Sequence, residues 1–170
     1  DANHRFGDYC GMGGYIGKLR VWWHYEFEDQ EVLHRLKVHI LEMLADVVQI
    51  ALVGTLARGC RYRGWIDNQS SMFAIRGQNS QDPKLMELLY VRHAILRREA
   101  VRPEASAYVA TEDNISDPIS RGKFTEFLKR AAEERGEREL TRIAIQRSPL
   151  ANELRTLIHH LCQISLLTTP

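Results

Sequence analysis

The chain is poor in the residues that staple or anchor a protein. Of its 170 residues only three are cysteine, Cys10, Cys60 and Cys162, far apart and odd in number. They fit neither a zinc-ligand spacing nor a disulfide framework, so reduced thiols in an intracellular setting are expected. Long apolar runs are missing as well. None approaches the ~18 residues of a membrane-spanning helix, so no membrane segment is expected. The opening stretch DANHRFGDYC is polar and lacks the apolar core of a secretory signal. It begins on Asp1 without a methionine, as expected of a piece of a longer polypeptide. Neither sign of charge dominates: 23 basic against 22 acidic residues leave a net charge of +1. Only local clustering can then mark a site for a polyanion.

What is present is ordinary globular material, 44% hydrophobic and 26% charged, enough for one domain with a core, alone or with an appendage. Residues 10–27 are glycine-rich, then aromatic and β-branched, which predicts an antiparallel hairpin turning near Gly17 and Lys18. Apolar residues at 40, 41, 44, 47, 48, 51 and 52 predict a helix over 39–57 with one apolar face. A basic loop, 58–64, leads to a short strand, Trp65 to Asp67, and a short helix beginning near Ser70. Asp82 and Pro83 read as N-cap and first residue of a helix over 81–101. A strand over 105–111 follows, with Asn114 a plausible cap. A charged helix, 123–145, is interrupted near Gly136, and a last helix starts after Ser148-Pro149. The expected order is β-β-α-β-α-α-β-α-α, with a strand missing or truncated ahead of residue 1.

Four acids fall at strand ends and helix starts in this scheme: Asp1, Glu42, Asp67 and Asp117. Each has a plain explanation. Asp67 serves as a helix N-cap, Glu42 as a residue favoured near a helix start, Asp1 as an exposed terminus, and Asp117 before Pro118 as a turn residue. Taken together, four carboxylates at one point repel unless cations offset them, and oxygen donors of this kind suit hard divalent ions. Two Mg²⁺ ions roughly 4 Å apart can activate a water and stabilise the leaving oxygen of a phosphodiester.

The wording around these acids, GMGGYI, HILEM, WIDNQSSMFAI and EDNISDPISRG, resembles in order and spacing the ribonuclease H domains attached to retroelement reverse transcriptases. The intervals are 41, 25 and 50 residues, and the likeness covers roughly residues 1–125. The resemblance implies an α/β fold with a mixed five-stranded sheet flanked by helices, its first strand truncated here. It implies metal-dependent endonucleolytic hydrolysis of the RNA strand of an RNA–DNA hybrid. Asp1, Glu42, Asp67 and Asp117 match the four catalytic, metal-ligating positions, for two Mg²⁺ ions with Mn²⁺ as a possible substitute. Asn68, Ser70, Arg61, Arg63 and Arg121 are the implied contacts to nucleic acid, and the partner domain would be the reverse transcriptase of the same polyprotein. The chain departs from the pattern in two places. The link NHRFGDYC is long, so Asp8 competes with Asp1 for the first position. The histidine that many relatives carry before the last acid has no counterpart between His93 and His159. Residues 126–170 match nothing in the family and read as a helical C-terminal extension. A different class stays open: a non-catalytic module of the same fold that binds nucleic acid or packs against a polymerase.

The remaining chemistry-bearing residues read more plainly. His34 and His39 miss the i, i+4 spacing of a helical zinc site. His159 and His160 are expected to be solvated. Of Trp22 and Trp23, one should lie in the core and the other beneath a helix. Arg58, Arg92, Arg97 and Arg98 join Arg61 and Arg63 as cations that could grip a phosphate backbone.

Overall fold

The computed structural model describes residues 11–28 and 35–164. Asp1, Asp8, Cys10 and His34 lie outside the described residues.

The fold is mixed α/β. The hairpin forms as expected: β1 (Gly11–Ile16) runs antiparallel to β2 (Val21–Glu26), joined by a 3₁₀ turn, Gly17–Leu19. Helix α1 (Val38–Leu56) follows. It is buried on nearly all sides, not on one face, because β1, α2 and α3 all pack around it. Over Val38–Leu56 it is long and apolar enough to cross a bilayer, contrary to the expectation of no such segment, yet 78% of that window is buried inside the protein. Packing within the fold accounts for its apolar surface.

Two short strands come next, β3 (Arg61–Tyr62) and β4 (Trp65–Ile66). The basic loop therefore already contains a strand. Helix α2 (Gln69–Gly77) starts one residue earlier than the sequence suggested: Asn68 is its N-cap, its side chain accepting from the Ser71 amide at 3.0 Å. Asp67 is not a cap. Helix α3 (Pro83–Arg98) has the expected cap, with Asp82 Oδ1 accepting from the Lys84 amide at 2.9 Å. The strand expected over 105–111 is shorter, β6 (Ala107–Tyr108), and a further short strand, β5 (Arg102–Pro103), precedes it. Asn114 does not cap a helix either. Its Oδ1 accepts from the Ser116 amide and hydroxyl, a local turn that feeds α4 (Asp117–Ser120).

The largest correction concerns 123–145. Helix α5 (Phe124–Arg135) stops at Gly136, left-handed with φ 68°. The residues after it form β7 (Thr141–Ala144), parallel to β2. Thr141 and Ile143 are β-branched and suit a strand, whereas helix α5 owes its charge pattern to i, i+4 pairs such as Arg130–Glu134. Helix α6 (Leu150–Ile164) ends the described chain.

Three small sheets result, in the orders β1-β2-β7, β3-β5 and β4-β6. The expected single five-stranded sheet is absent among the described residues. The main core gathers α1, α2 and α3 around Trp23 and Met12, and α6 adds Leu154, Ile158 and Leu161. Residues beyond 125 thus contribute a strand and core side chains to the same body. Trp22 lies in a second cluster under α5, with Phe127 and Ile119, while Trp23 is fully buried in the first, as the alternation of faces implied. Arg142 of β7 lies over the rings of Trp22 and Phe124, 5.2 and 4.8 Å from their centroids, and donates to His24 Nε2.

Candidate functional site

Strands β3 and β4 read as one extended ribbon. From 61 to 66 its residues alternate exposed and buried, so Tyr62, Gly64 and Ile66 face inward while Arg61, Arg63 and Trp65 face solvent. The inward positions meet α1. Tyr62 donates its hydroxyl to Asp46 Oδ1 at 2.7 Å, and a Cβ built on Gly64 would lie 3.2 Å from the same oxygen. Arg92 of α3 donates to Asp46 Oδ2 at 2.8 Å. Asp46 and Arg92 are each buried, so the ion pair is desolvated and each charge needs the other. Burial, together with the Asp46 charge, pushes the Tyr62 phenol well above its ordinary value, so it stays a proton donor. Gln49 completes the layer, accepting from Trp23 Nε1 at 3.2 Å and donating to the Tyr62 oxygen at 3.4 Å.

This layer is the floor of a cleft of about 1000 Å³. One wall is β1, from Gly13 to Ile16, and the other is the β3–β4 ribbon. Glu42, buried on α1, and Asp67, just past the end of β4, both line it. Asn114 closes the same end, donating from Nδ2 to Asp67 Oδ2 at 3.1 Å. That bond ties the segment carrying Asp117 to the strand carrying Asp67, since the Asp117 amide donates to the Asn114 carbonyl at 3.1 Å.

The structure brings Glu42 and Asp67 to one cleft and leaves Asp117 beside it. Asp117 is held by Arg121, whose Nη2 lies 2.8 Å from Oδ1, so both members of that pair are engaged with each other. Among the described residues, no three of His, Cys, Asp and Glu are grouped to hold a metal ion. Asn68 is occupied by its capping bonds, and Ser70 is exposed beside it in the first turn of α2. Arg61 and Arg63 share one carboxylate, Glu104, at 3.8 and 3.2 Å.

Other candidates resolve differently. Arg92 is the buried partner of Asp46, not a surface cation. Arg58 donates to the Arg98 carbonyl, and Arg98 pairs with Glu99. His39 bonds Asp82 at 3.1 Å across to the cap of α3. Burial opposes ionisation of Asp82, but the bonds from His39 and from the Lys84 and Leu85 amides outweigh it, and its pKa falls. His159 and His160 are exposed, as expected.

Sequence reasoning missed Asp46, Tyr62 and Gln49, and read Asn114 only as a cap. A signal for Asp46 existed: a carboxylate four residues after Glu42, inside an otherwise apolar helix, needs a partner from outside the helix. Comparison with protein-family models, with curated proteins and with solved structures finds no match for this chain.

Proposed function

We propose that the chain is a metal-dependent endonuclease of the ribonuclease H type, cutting the RNA strand of RNA–DNA hybrids as part of a retroelement reverse transcriptase. The observation that carries this reading is the meeting of Glu42 and Asp67 on one cleft, with Asn114 binding Asp67 directly. Residues 42, 67 and 114–117 are distant in sequence. They are the segments whose wording carries the resemblance. On the finer level of the fold, the reading treats β1–β2 and β4–β6 as portions of one mixed sheet.

The carboxylates suit a hard cation: Glu42 and Asp67 supply oxygens at the same cleft, and Asn114 orients one of them through its Nδ2. In this reading Glu42, Asp67 and Asp117 hold Mg²⁺ together with the first acid, assigned to Asp1 or Asp8. When bound, the ions would lower the pKa of a water and stabilise charge on the phosphodiester. The protein's own work is positional. Asn68 fixes the start of α2 and so the direction in which Asp67 leaves β4. Asn114 holds one carboxylate oxygen of Asp67 in place. Arg121 holds Asp117 until substrate competes for the guanidinium, and Ser70, Arg61 and Arg63 stand exposed where a phosphate backbone can reach them. The reading places the protein inside the cell, beside its polymerase domain and away from membranes.

One observation favours the second reading, a non-catalytic module that binds hybrid or packs on a polymerase. Asp117 is neutralised by Arg121, and no three acids are grouped among the described residues. A cleavage assay separates the two. Labelled hybrid, RNA duplex and DNA duplex are incubated with the chain in Mg²⁺ or in EDTA. Cleavage of hybrid RNA alone, in Mg²⁺ alone, supports the nuclease. Tight hybrid binding without cleavage supports the module.

A further inference from the structure

The outward face of the β3–β4 ribbon carries three cross-strand pairs. Arg61 stands beside its ladder partner Arg102, and both are exposed. Arg63 meets Glu104 at 3.2 Å, and Glu104 also reaches Arg61 at 3.8 Å. Trp65 stands beside Ala107. Two of these pairs have no account in the stability of the fold. Like charges placed side by side on a sheet repel. Arg61 and Arg63 share one carboxylate, and Arg102 has no ion-pair partner among the described residues. The indole of Trp65 is 62% exposed, since Ala107 is too small to cover it, and makes no ring contact or side-chain hydrogen bond among the described residues. Trp22 and Trp23, by contrast, are 3% and 0% exposed. The arginines at the ends of α1 and α3 need no such account: Arg58 donates to the Arg98 carbonyl, and cations are favoured at helix C-termini.

We propose that this face binds single-stranded nucleic acid, with one base stacked on Trp65 and the adjoining phosphates held by Arg61, Arg63 and Arg102. That chemistry meets each need of the face. The guanidiniums need anions, and a phosphodiester backbone supplies one at every nucleotide, in a form the arginine fork grips by two oxygens at once. The indole needs a flat apolar partner, and every base has one. Outward residues follow one another at about 6.7 Å along the ribbon, two residues of strand rise, so the anion sites and the stacking site form one row. A duplex or an RNA–DNA hybrid offers phosphates but keeps its base faces inside the stack. An acidic peptide satisfies the arginines and leaves the indole bare. A positively charged face with an aromatic residue in line is the general form of a sequence-independent single-strand site. These contacts read charge and ring stacking only, so no base preference is expected. Two residues beyond Trp65 the chain reaches Asp67, so a strand held here leads toward the acid end of the cleft. The inference does not rest on the nuclease reading, because it uses no carboxylate ligand and no cleavage.

The test is titration of the full chain with a single-stranded oligonucleotide of mixed sequence and about twelve nucleotides, in EDTA so that no cleavage intervenes. Because the other two tryptophans are buried, quenching of intrinsic fluorescence reports on Trp65. Single strand should quench that emission and bind about tenfold more tightly than duplex DNA or hybrid of the same length. Trp65→Ala should weaken single-strand binding about tenfold and abolish the quenching. Affinity should fall with salt on a log–log slope of about −2, for three phosphates, and Arg61→Gln with Arg102→Gln should reduce that slope by about 1.4. The same two substitutions remove the like-charge contact, so Tm should hold or rise while binding falls, which separates a lost ligand contact from a lost fold. Failure of single strand to bind overturns the proposal, as does a Trp65→Ala protein that binds as tightly as the parent. Duplex or hybrid bound as tightly as single strand would make the face a contact for backbone charge alone. Displacement of the oligonucleotide by polyglutamate at equal charge would make it a surface for an acidic protein. Either result also overturns the proposal.

Discussion

Replacing Arg92 with leucine should expose how the cleft floor is held. The guanidinium and the Asp46 carboxylate have side-chain exposures of 4% and 3% and meet at 2.8 Å. Taking away the cation leaves a buried carboxylate with only the Tyr62 hydroxyl as a strong donor. Breaking a buried pair from one side costs about 3–5 kcal/mol. For a chain of this size each kcal/mol moves Tm by roughly 2–4 °C, so Arg92→Leu should lower Tm by roughly 6–20 °C. The double variant Asp46→Leu with Arg92→Leu removes both charges and should recover most of the loss. Urea unfolding of parent, both single variants and the double variant at pH 5 and pH 8 gives the coupling energy. Single variants within ~1 kcal/mol of the parent, with no coupling, would refute the buried pair as the floor's main constraint.

Three further outcomes are expected. His24 is buried, and burial, with the Arg142 charge adding, lowers its pKa from 6.5 to about 4. The unfolded chain therefore takes up the proton first, and stability falls as pH drops from about 6.5 towards 4, by about 3 kcal/mol at most; His24→Phe should flatten that part of the profile, and an unchanged slope would assign it elsewhere. Gly14→Ala sets a Cβ 2.2 Å from Gln49 Oε1 and 2.6 Å from Trp23 Nε1 and should cost about 1–3 kcal/mol, whereas Gly77→Ala, with nothing within 4 Å, should be neutral or stabilising by denaturant midpoint. Asn68→Ala should cost about 1 kcal/mol of stability as a lost cap while Asp67→Asn costs little, and activity should respond in the opposite order; equal stability losses would return Asp67 to a structural role.

The elements legible in the sequence were those with strong local signals. Asp82-Pro83 marked the start of α3, and the glycine-rich and aromatic stretch marked the hairpin, because caps, prolines and alternation act within a few residues. The strand β7 was hidden because its four residues follow a charged helix without a break in polarity, and only its parallel partner β2 stabilises it as a strand. The same holds for β3, whose Arg61, flanked by further basic residues, looks like a loop until Tyr62 is seen to reach Asp46. At the site, Asp67 was ambiguous between cap and cleft residue, and its neighbour decided the matter: Asn68 takes the cap and frees Asp67 for the cleft. The floor of Asp46, Tyr62, Gln49 and Arg92 joins residues up to 46 apart. No spacing rule within one element could have assembled it.

The most direct test of the central reading is single-turnover cleavage of end-labelled RNA–DNA hybrid, with the chain in excess so that even slow chemistry registers. The account predicts cuts in the RNA strand alone, in Mg²⁺ or Mn²⁺ and not in EDTA, abolished by Asp67→Asn and by Glu42→Gln. Hybrid left intact at saturating chain, or cut equally well by Asp67→Asn, would contradict it.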